Sequence, residues 1–295
     1  MITSIVYGGL GNQMLHYAIG RSLALKYGVK YCLDLSMYEI FKSRPWMREY
    51  ELRNVFSLPD VVEISSSSVI KKTELLYLMN RKNKFDGKLF QRLSNIVCIA
   101  DTEDQSDRIN RNSTLYGLDH SIRYFKGHIS EIKRDFAFKT PLEGKNKMLA
   151  DEIQGCKSLS LHIRRGDYLN ANNIDSYVQV EKEWYYNAID KVMDIVGRDM
   201  NIYVFSDDIP WCREVFSEYK KIKFIDWNIG KDSYRDMQLM SLCKHNIIAN
   251  STFSRMAALI NANEDQIVIC PSHYLKNEKE DMLYFLELPK NWIII

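Results

Sequence analysis

The chain has 295 residues, enough for two domains or one large one. Its 40 lysines and arginines nearly balance 38 aspartates and glutamates, and the formal charge of +2 argues against a protein that grips nucleic acid through a basic face. Apolar residues make up 46%, while 13 glycines and 6 prolines are few for this length, so regular elements rather than linkers or disorder are expected.

The first predicted elements are a strand, a glycine-rich turn and a helix. Residues 1–7 alternate as a strand does and carry neither a basic leader nor an apolar signal core, so we expect no secretory signal. The turn is Gly8 to Gly11. Apolar residues at helical spacing from Met14 to Tyr27 predict a helix that stops at Gly28. The next predictions are a strand over 30–35 and helices over 69–80 and 85–93.

The second half alternates regularly between strands and helices. A break over 139–144 is the best candidate for a boundary, giving domains over 1–143 and 144–295. The strands are predicted over 159–163, 202–205, 222–225, 246–249 and 266–269. The helices are predicted over 181–196, 208–219, 232–243 and 254–262. This alternation indicates an α/β fold with a parallel sheet covered on both faces.

Two further features bear on the class of protein. No stretch approaches the roughly 18 apolar residues that a membrane span needs. The six cysteines form no C-x-x-C pair, so zinc and redox motifs are absent from the sequence. We therefore expect reduced core thiols in a cytoplasmic protein.

The first candidate site is the segment Gly8-Gly9-Leu10-Gly11-Asn12-Gln13. Glycines let the backbone approach a ligand and leave the N–H groups of a helix start open to an anion. Met14 stands where the dinucleotide fingerprint needs glycine, and no Gly-Lys-Ser/Thr of a Walker loop follows. A tight turn and a binding loop both stay open as interpretations, and the polar Asn12-Gln13 pair favours binding.

The second candidate site follows the predicted strand 159–163. Ligands of open α/β sheets lie beyond the carboxyl ends of strands, and the fork of an arginine suits a diphosphate. Period-2 alternation places His162 and Arg164 on one face and Arg165 on the other. One arginine can thus enter a cleft while the other pairs elsewhere, with Asp167 as a candidate partner. A purely structural arginine–aspartate pair is the alternative.

Two more polar groups follow predicted strands. Asp207 and Asp208 end one strand, where Asp208 can cap the next helix and Asp207 can accept hydrogen bonds from a ligand. Residues 250–254 offer hydroxyls at a helix start, either as a phosphate site or as a simple cap. No D-x-D or H-E-x-x-H motif occurs, so no metal is expected. Together these junctions predict a nucleotide-diphosphate cleft, and the lack of a G-x-S-x-G elbow disfavours a serine hydrolase.

These blocks, in their order and spacing, resemble the inverting α-1,2-fucosyltransferases of glycosyltransferase family 11. The matching segments are Gly8 to Ala24, His162 to Tyr168, Phe205 to Asp208 and Leu239 to Ser254. The resemblance implies a GT-B-like arrangement, with two Rossmann-like domains facing across a cleft. Domain 1–143 would be the acceptor side and domain 144–295 would bind GDP-fucose, with residues 281–295 as a candidate to pack back on the first domain.

The resemblance also implies residue roles. Arg164 would hold the donor diphosphate, Asn12 would lie near the fucose, and Asp167 is the adjacent ionisable group; these three form the expected catalytic set. No metal or other cofactor is implied. The expected donor-binding residues are Gly9, Gly11, His162, Arg165, Asp207, Asp208, Ser251, Thr252, Phe253 and Ser254.

The implied reaction moves L-fucose from GDP-fucose to the 2-hydroxyl of a terminal β-galactoside, in solution or on a lipid-linked glycan at the inner face of a bacterial membrane. Alternatives are another nucleotide-sugar or acceptor on the same fold, and a non-catalytic glycan- or nucleotide-binding relative. Two departures from the family pattern bear on these alternatives. Arg255 and Met256 replace two tryptophans, which could alter helix packing or donor contacts, and residues 118–125 differ on the expected acceptor side.

Overall fold

The computed structural model describes residues 1–44, 48–59, 61–66, 69–74, 95–171 and 173–295. These residues form two compact units. The first consists of Met1–Lys139 and Met282–Glu287, and the second of Thr140–Asp281 and Leu288–Ile295. Residues 69–74 are helical, whereas 75–80 and the predicted helix over 85–93 lie outside the described residues.

Among its described residues, the first unit contains a parallel sheet of five strands in the order β3-β2-β1-β5-β4. Strand β1 is buried along its whole length, as a central strand covered on both faces should be. The strands are β1 Ile2–Ile5, β2 Tyr31–Asp34, β3 Val62–Ile64, β4 Ile96–Cys98 and β5 Thr114–Tyr116.

A long helix, Leu10–Tyr27, follows β1 directly and packs on the sheet. It ends where the sequence predicts, because Gly28 adopts the left-handed conformation at φ +62° and its N–H bonds back to Ala24 and Leu25. Its start lies earlier than the apolar periodicity indicates, since Gly9 already serves as the N-cap. The other α-helices with assigned bounds in this unit are Ser36–Ile40, Leu52–Val55 and Ile129–Asp135.

Among its described residues, the second unit contains a parallel sheet of six strands in the order β11-β10-β9-β6-β7-β8. Strand β6 is buried at every position and its Leu159, Leu161 and Ile163 lie in the main core cluster. The strands are β6 Ser158–Ile163, β7 Asn201–Ser206, β8 Ile222–Ile225, β9 His245–Ile247, β10 Val268–Cys270 and β11 Trp292–Ile294.

The helices of the second unit alternate with its strands along the chain in the βαβ order that the sequence predicts, and the full burial of β6 shows that both faces of its central strand are covered. Helix Lys182–Val196 supplies Tyr185, Ala188, Ile189 and Val192 to the core. The α-helices are Gly144–Gln154, Lys182–Val196, Ile209–Val215, Tyr234–Met240, Thr252–Ile260 and Glu278–Met282, the last of which ends at the first residue of the segment grouped with the first unit. No helix of the described residues combines the length and apolarity needed to cross a membrane.

Candidate functional site

The predicted donor residues of the second unit gather at one place in its sheet. The strand order reverses between β6 and β9, because β7 and β8 lie on one side of β6 while β9, β10 and β11 lie on the other. In doubly wound sheets ligands bind beyond the carboxyl ends of the strands at such a reversal. Arg164 to Asp167 follow β6, Asp207 and Asp208 follow β7, and Asn250 to Ser254 follow β9 shortly after its end.

Arg164 is held between two carboxylates. Its Nε lies 3.1 Å from Oδ2 of Asp207, and its Nη2 donates to Oδ2 of Asp167 at 2.6 Å. The guanidinium also lies 5.8 Å from the centre of the Tyr168 ring. Burial alone would lower the pKa of Arg164, but the charges of Asp207 and Asp167 outweigh it and raise that pKa. Arg164 is therefore a fixed, permanently charged cation at the sheet reversal.

Asp207 organises the loop that follows β6. Its Oδ1 accepts the backbone N–H of Arg165 at 2.9 Å, and the backbone N–H of Gly166 also bonds to this carboxylate. Burial alone would raise the pKa of Asp207. Arg164 and these two amides lower that pKa by more than burial raises it, so it lies below its usual value. A Cβ at Gly166 would lie 3.1 Å from the carboxyl carbon of Asp207, so the glycine allows this close approach.

The side chain of Arg165 lies on the side of the strand opposite to that of Arg164, as the alternation predicts. Its guanidinium carbon lies 4.1 Å from the centre of the Trp211 ring, and its Nε is 3.5 Å from Oδ2 of Asp208. Asp208 is also the N-cap of helix Ile209–Val215, where its side chain accepts the N–H of Trp211. The sequence left open which arginine Asp167 would contact, and in the structure Asp167 pairs with Arg164.

The loops after β6 and β9 are joined directly. The Tyr168 hydroxyl donates to the backbone carbonyl of Asn250 at 2.9 Å. The Asn250 amide in turn donates to the carbonyls of Val178 and Tyr274. Sequence reasoning included both Tyr168 and Asn250 in its motifs but gave neither a role, because a hydrogen bond between residues 82 apart leaves no local signature.

Residues 251–254 form the start of helix Thr252–Ile260. Ser251 is its N-cap and accepts the N–H of Phe253, while the Ser254 hydroxyl donates to the Ser251 carbonyl. The capping interpretation therefore holds for Ser251. The Phe253 ring lies 5.9 Å from the imidazole of His162, and so brings these two predicted donor residues together. Burial, and then the charge of Arg164, lowers the pKa of His162 to about 3, so this histidine is neutral.

The predicted residues of the first unit lie at the corresponding reversal of its own sheet, after β1. Gly8 has φ +83°, and a Cβ there would lie 2.6 Å from Nδ2 of Asn12. Gln13 is fully buried and donates to the carbonyls of Gly8 and Glu49 while accepting the N–H of Glu51. Gln13 is thus structural, whereas Asn12 stays partly exposed. Gly9, Gly11 and Asn12 belong to a different unit from Arg164.

The first departure from the family pattern is explained by packing within the second unit. Arg255 is 3% exposed, with its guanidinium 5.0 Å from the centre of the Trp292 ring and 5.7 Å from that of Tyr274. Met256 is fully buried. The aromatic rings around Arg255 thus come from β11 and from the loop after β10, so both residues that depart from the family pattern are buried packing residues of this helix.

The second departure, over residues 118–125, contains a buried ion pair in the first unit. Asp119 pairs with Arg123, and its carboxylate also accepts the backbone N–H of Ser121. The His120 imidazole is stacked on the Tyr284 ring, with centroids 3.8 Å apart. The segment is therefore built into its unit by contacts that its sequence pattern did not indicate.

No group of three or more histidine, cysteine, aspartate or glutamate side chains suited to a metal ion occurs within the described ranges. All six cysteines are free thiols. The candidate site offers two positively charged side chains, Arg164 and Arg165.

Comparison with known proteins adds information at the level of the whole chain. A model of the glycosyl transferase family 11 matches residues 109–295. The α-1,2-colitosyltransferase of Escherichia coli is 32% identical, over 100% of this chain and 99% of that protein. The O-antigen biosynthesis glycosyltransferase WbnK of Escherichia coli is 27% identical, over 95% of this chain and 97% of that protein.

Among solved structures, that of the NodZ α-1,6-fucosyltransferase of Bradyrhizobium is similar in fold. It is 15% identical with a TM-score of 0.52, over 88% of this chain and 91% of that chain. At this identity the likeness concerns the fold alone. Together with the two doubly wound units, it confirms the predicted α/β, GT-B-like fold class of two Rossmann-like domains.

Proposed function

This chain belongs to glycosyltransferase family 11, and we propose that it transfers L-fucose from GDP-fucose to the 2-hydroxyl of a terminal β-galactoside, with inversion at the anomeric carbon. The observation that carries the proposal is the placement of Arg164 at the reversal of the second sheet, fixed by Asp207. A partly buried guanidinium with a fixed orientation at that point suits the diphosphate of a nucleotide-sugar.

Arg164 serves the reaction by stabilising the leaving group. As the bond between the sugar and GDP breaks, negative charge builds on the β-phosphate, and a fixed cation neutralises it without reorganisation. Such a preoriented group contributes about 3–4 kcal/mol to the transition state. The proposal requires no metal, because the charge comes from the chain's own arginines.

At the anomeric carbon, the transfer step makes one bond and breaks one. The 2-oxygen of the acceptor attacks the anomeric carbon from the face opposite GDP, and the anomeric carbon–oxygen bond breaks with its electron pair passing to GDP. The hydroxyl proton leaves to a base, for which Asp167 is our candidate because it is the ionisable residue on the same loop as Arg164. A loose, oxocarbenium-like transition state makes only modest demands on that base.

We assign the acceptor side of the reaction to the first unit. Gly8 and Gly9 immediately precede helix Leu10–Tyr27, and the buried Gln13 side chain donates to the Gly8 carbonyl and so holds this turn. Asn12 is therefore our candidate for the polar side chain that contacts a ligand there. In this proposal Gly9, Gly11 and Asn12 border the transferred sugar. A helix start is suited to oxygen-rich ligands because its first N–H groups have no partners within the helix.

A second donor is favoured by one observation. The relative that is 32% identical over the full chain is named an α-1,2-colitosyltransferase. Colitose is L-fucose without its 3-hydroxyl, so the two sugars would occupy the same site and differ by one hydrogen-bonding group. A site built to bind that hydroxyl would discriminate strongly against colitose, whereas an apolar surface at that point would accept both.

The test is a donor and linkage panel. The purified protein is incubated with lactose and, in turn, GDP-fucose, GDP-colitose, GDP-mannose and UDP-galactose, and each product is analysed by NMR. The proposal expects an α-1,2-linked deoxyhexose from GDP-fucose, with GDP-colitose as the alternative donor. Transfer from the other donors, a different linkage, or binding of GDP-fucose with neither transfer nor hydrolysis would overturn it.

A further inference from the structure

The cluster around Arg164 holds more negative than positive charge. Two arginines, Arg164 and Arg165, face three aspartates, Asp167, Asp207 and Asp208, in direct ion pairs. His162 adds no charge because burial keeps it neutral. A diphosphate brings at least two further negative charges to this place. Like charges within a few ångströms repel strongly at a partly buried site, so the arrangement needs one carboxylate to leave Arg164 when such a ligand binds.

The two carboxylates on Arg164 are held differently. Asp207 follows a neighbouring strand and is fixed by the backbone amides of Arg165 and Gly166 as well as by Arg164. Asp167 lies on the same loop as Arg164, three residues on, and begins a short 3-10 turn, Asp167–Leu169. The two side chains of this local pair are 26% and 29% exposed, and a partly solvated ion pair between neighbours on one loop contributes only modest free energy, so a ligand can replace it. A carboxylate that accepts hydrogen bonds from two backbone amides, as Asp207 does, is much harder to displace.

We propose that the donor diphosphate takes the place of Asp167 on the Nη2 side of Arg164, while Asp207 continues to hold Nε. This inference rests on the proposed function, since it names how that same site receives its nucleotide-sugar. Asp167 is then a positioning residue of the empty enzyme: it neutralises Arg164 and keeps its fork in place until the donor arrives. Donor binding releases the Asp167 carboxylate, which ties any proton-accepting role of Asp167 to an occupied donor site.

This exchange predicts the opposite effect on binding from that expected if Asp167 helped to hold the donor. Removing the charge of a residue that helps to hold a ligand weakens binding, whereas removing a competitor for Arg164 strengthens it. Asp167→Asn should therefore bind GDP about three- to tenfold more tightly than the wild type, because an intramolecular ion pair no longer competes. Its turnover falls if the released carboxylate also accepts the acceptor proton, so affinity and kcat move in opposite directions.

Calorimetric titration tests this with two probes, GDP and inorganic pyrophosphate, at constant ionic strength. The matched control is Asp226→Asn, which removes one negative charge from the same unit but pairs with Arg213 rather than Arg164. Asp207→Asn is the opposite control and should bind both probes more weakly. Tighter binding of both probes by Asp167→Asn alone supports the exchange. Binding by Asp167→Asn that is no tighter than that of Asp226→Asn overturns it.

The two probes separate this inference from the proposed function. Suppose that pyrophosphate binds Asp167→Asn more tightly than it binds the wild type, but that GDP binds no more tightly than pyrophosphate. The exchange then stands and the GDP-sugar assignment fails. If GDP binds the wild type well and Asp167→Asn gains nothing, the exchange fails alone. A crystal structure of the wild type with GDP gives a direct readout. It should place a phosphate oxygen on Nη2 of Arg164 with Asp167 moved away, and an intact 2.6 Å contact between Arg164 and Asp167 would overturn the exchange.

Discussion

Oδ2 of Asp207 lies 3.1 Å from Nε of Arg164, and this contact joins the ends of two neighbouring strands of the second sheet. The same carboxylate accepts the backbone N–H of Arg165, so one side chain fixes both the arginine and the loop that carries it. The orientation of Arg164 therefore depends on a residue 43 positions away along the chain.

We expect Asp207→Asn to lower kcat/KM about tenfold to a hundredfold. The amide keeps the side chain's shape but loses the charge that orients Arg164 and half of its accepting capacity, a change of about 1–3 kcal/mol. Initial rates with GDP-fucose and lactose measure the effect, with Asp226→Asn as the surface control. Unchanged kcat/KM in a folded Asp207→Asn protein would mean that Arg164 needs no such support.

Gly8→Ala should destabilise the first unit more than Gly28→Ala does. Both glycines have positive φ, at +83° and +62°, so both substitutions strain the backbone. Only at Gly8 would the new Cβ meet another group, Nδ2 of Asn12 at 2.6 Å. We expect an additional loss of about 1–2 kcal/mol for Gly8→Ala, measured by urea unfolding. Equal losses at the two sites would show that Asn12 moves aside freely.

The stability of the second unit should depend on the protonation of Asp236. Burial raises its pKa from 3.8 to about 7, although a hydrogen bond from Asn228 acts in the opposite direction. The folded state thus retains a proton that the unfolded chain releases near pH 4. The resulting stabilisation is complete below that pH and is lost as the pH rises toward 7.

Asp236→Asn tests this titration, because its amide oxygen can still accept from Asn228. The variant should gain stability relative to the wild type between pH 4 and pH 8, by up to about 4 kcal/mol. Urea unfolding at several pH values measures the difference. A stability difference that is the same at pH 4.5 and pH 8 would contradict a raised pKa at this position.

Arg255→Met should reduce stability and leave donor binding as it is. The guanidinium is buried among Trp292 and Tyr274, and its loss removes cation–π contacts from a packed helix, which costs about 1–3 kcal/mol. The midpoint of thermal unfolding should fall, while the Kd for GDP measured well below that midpoint should not change. A larger Kd at such a temperature would mean that the residues replacing the family's tryptophans also affect donor binding.

Sequence patterns predicted the second sheet well because its strands are short, apolar and bounded by polar junctions. The loops after β6, β7 and β9 were identified for the same reason: arginine, aspartate and serine stand where buried strands end. Alternation also separated Arg164 from Arg165 correctly, since it depends only on strand geometry.

What the sequence left open depends on contacts between distant segments. Strand β11 is a short apolar run at the end of the chain, and only its pairing with β10 makes it a strand. Helix Gly144–Gln154 went unpredicted because it buries just Leu149, Ala150 and Ile153, too narrow an apolar stripe to stand out. The arginine that pairs with Asp167 stayed open because strand alternation says nothing about the turn that follows the strand.

The most direct test of the account is the rate of α-1,2-linked product formation by Arg164→Ala in the presence of EDTA. The wild type and the surface control Arg213→Ala should both convert GDP-fucose and lactose under these conditions. Arg164→Ala, folded to the same degree, should lose about a hundredfold to a thousandfold in kcat, the effect of removing a fixed charge from the leaving group. Turnover by Arg164→Ala close to that of the wild type, or a wild-type reaction abolished by EDTA, would contradict the account.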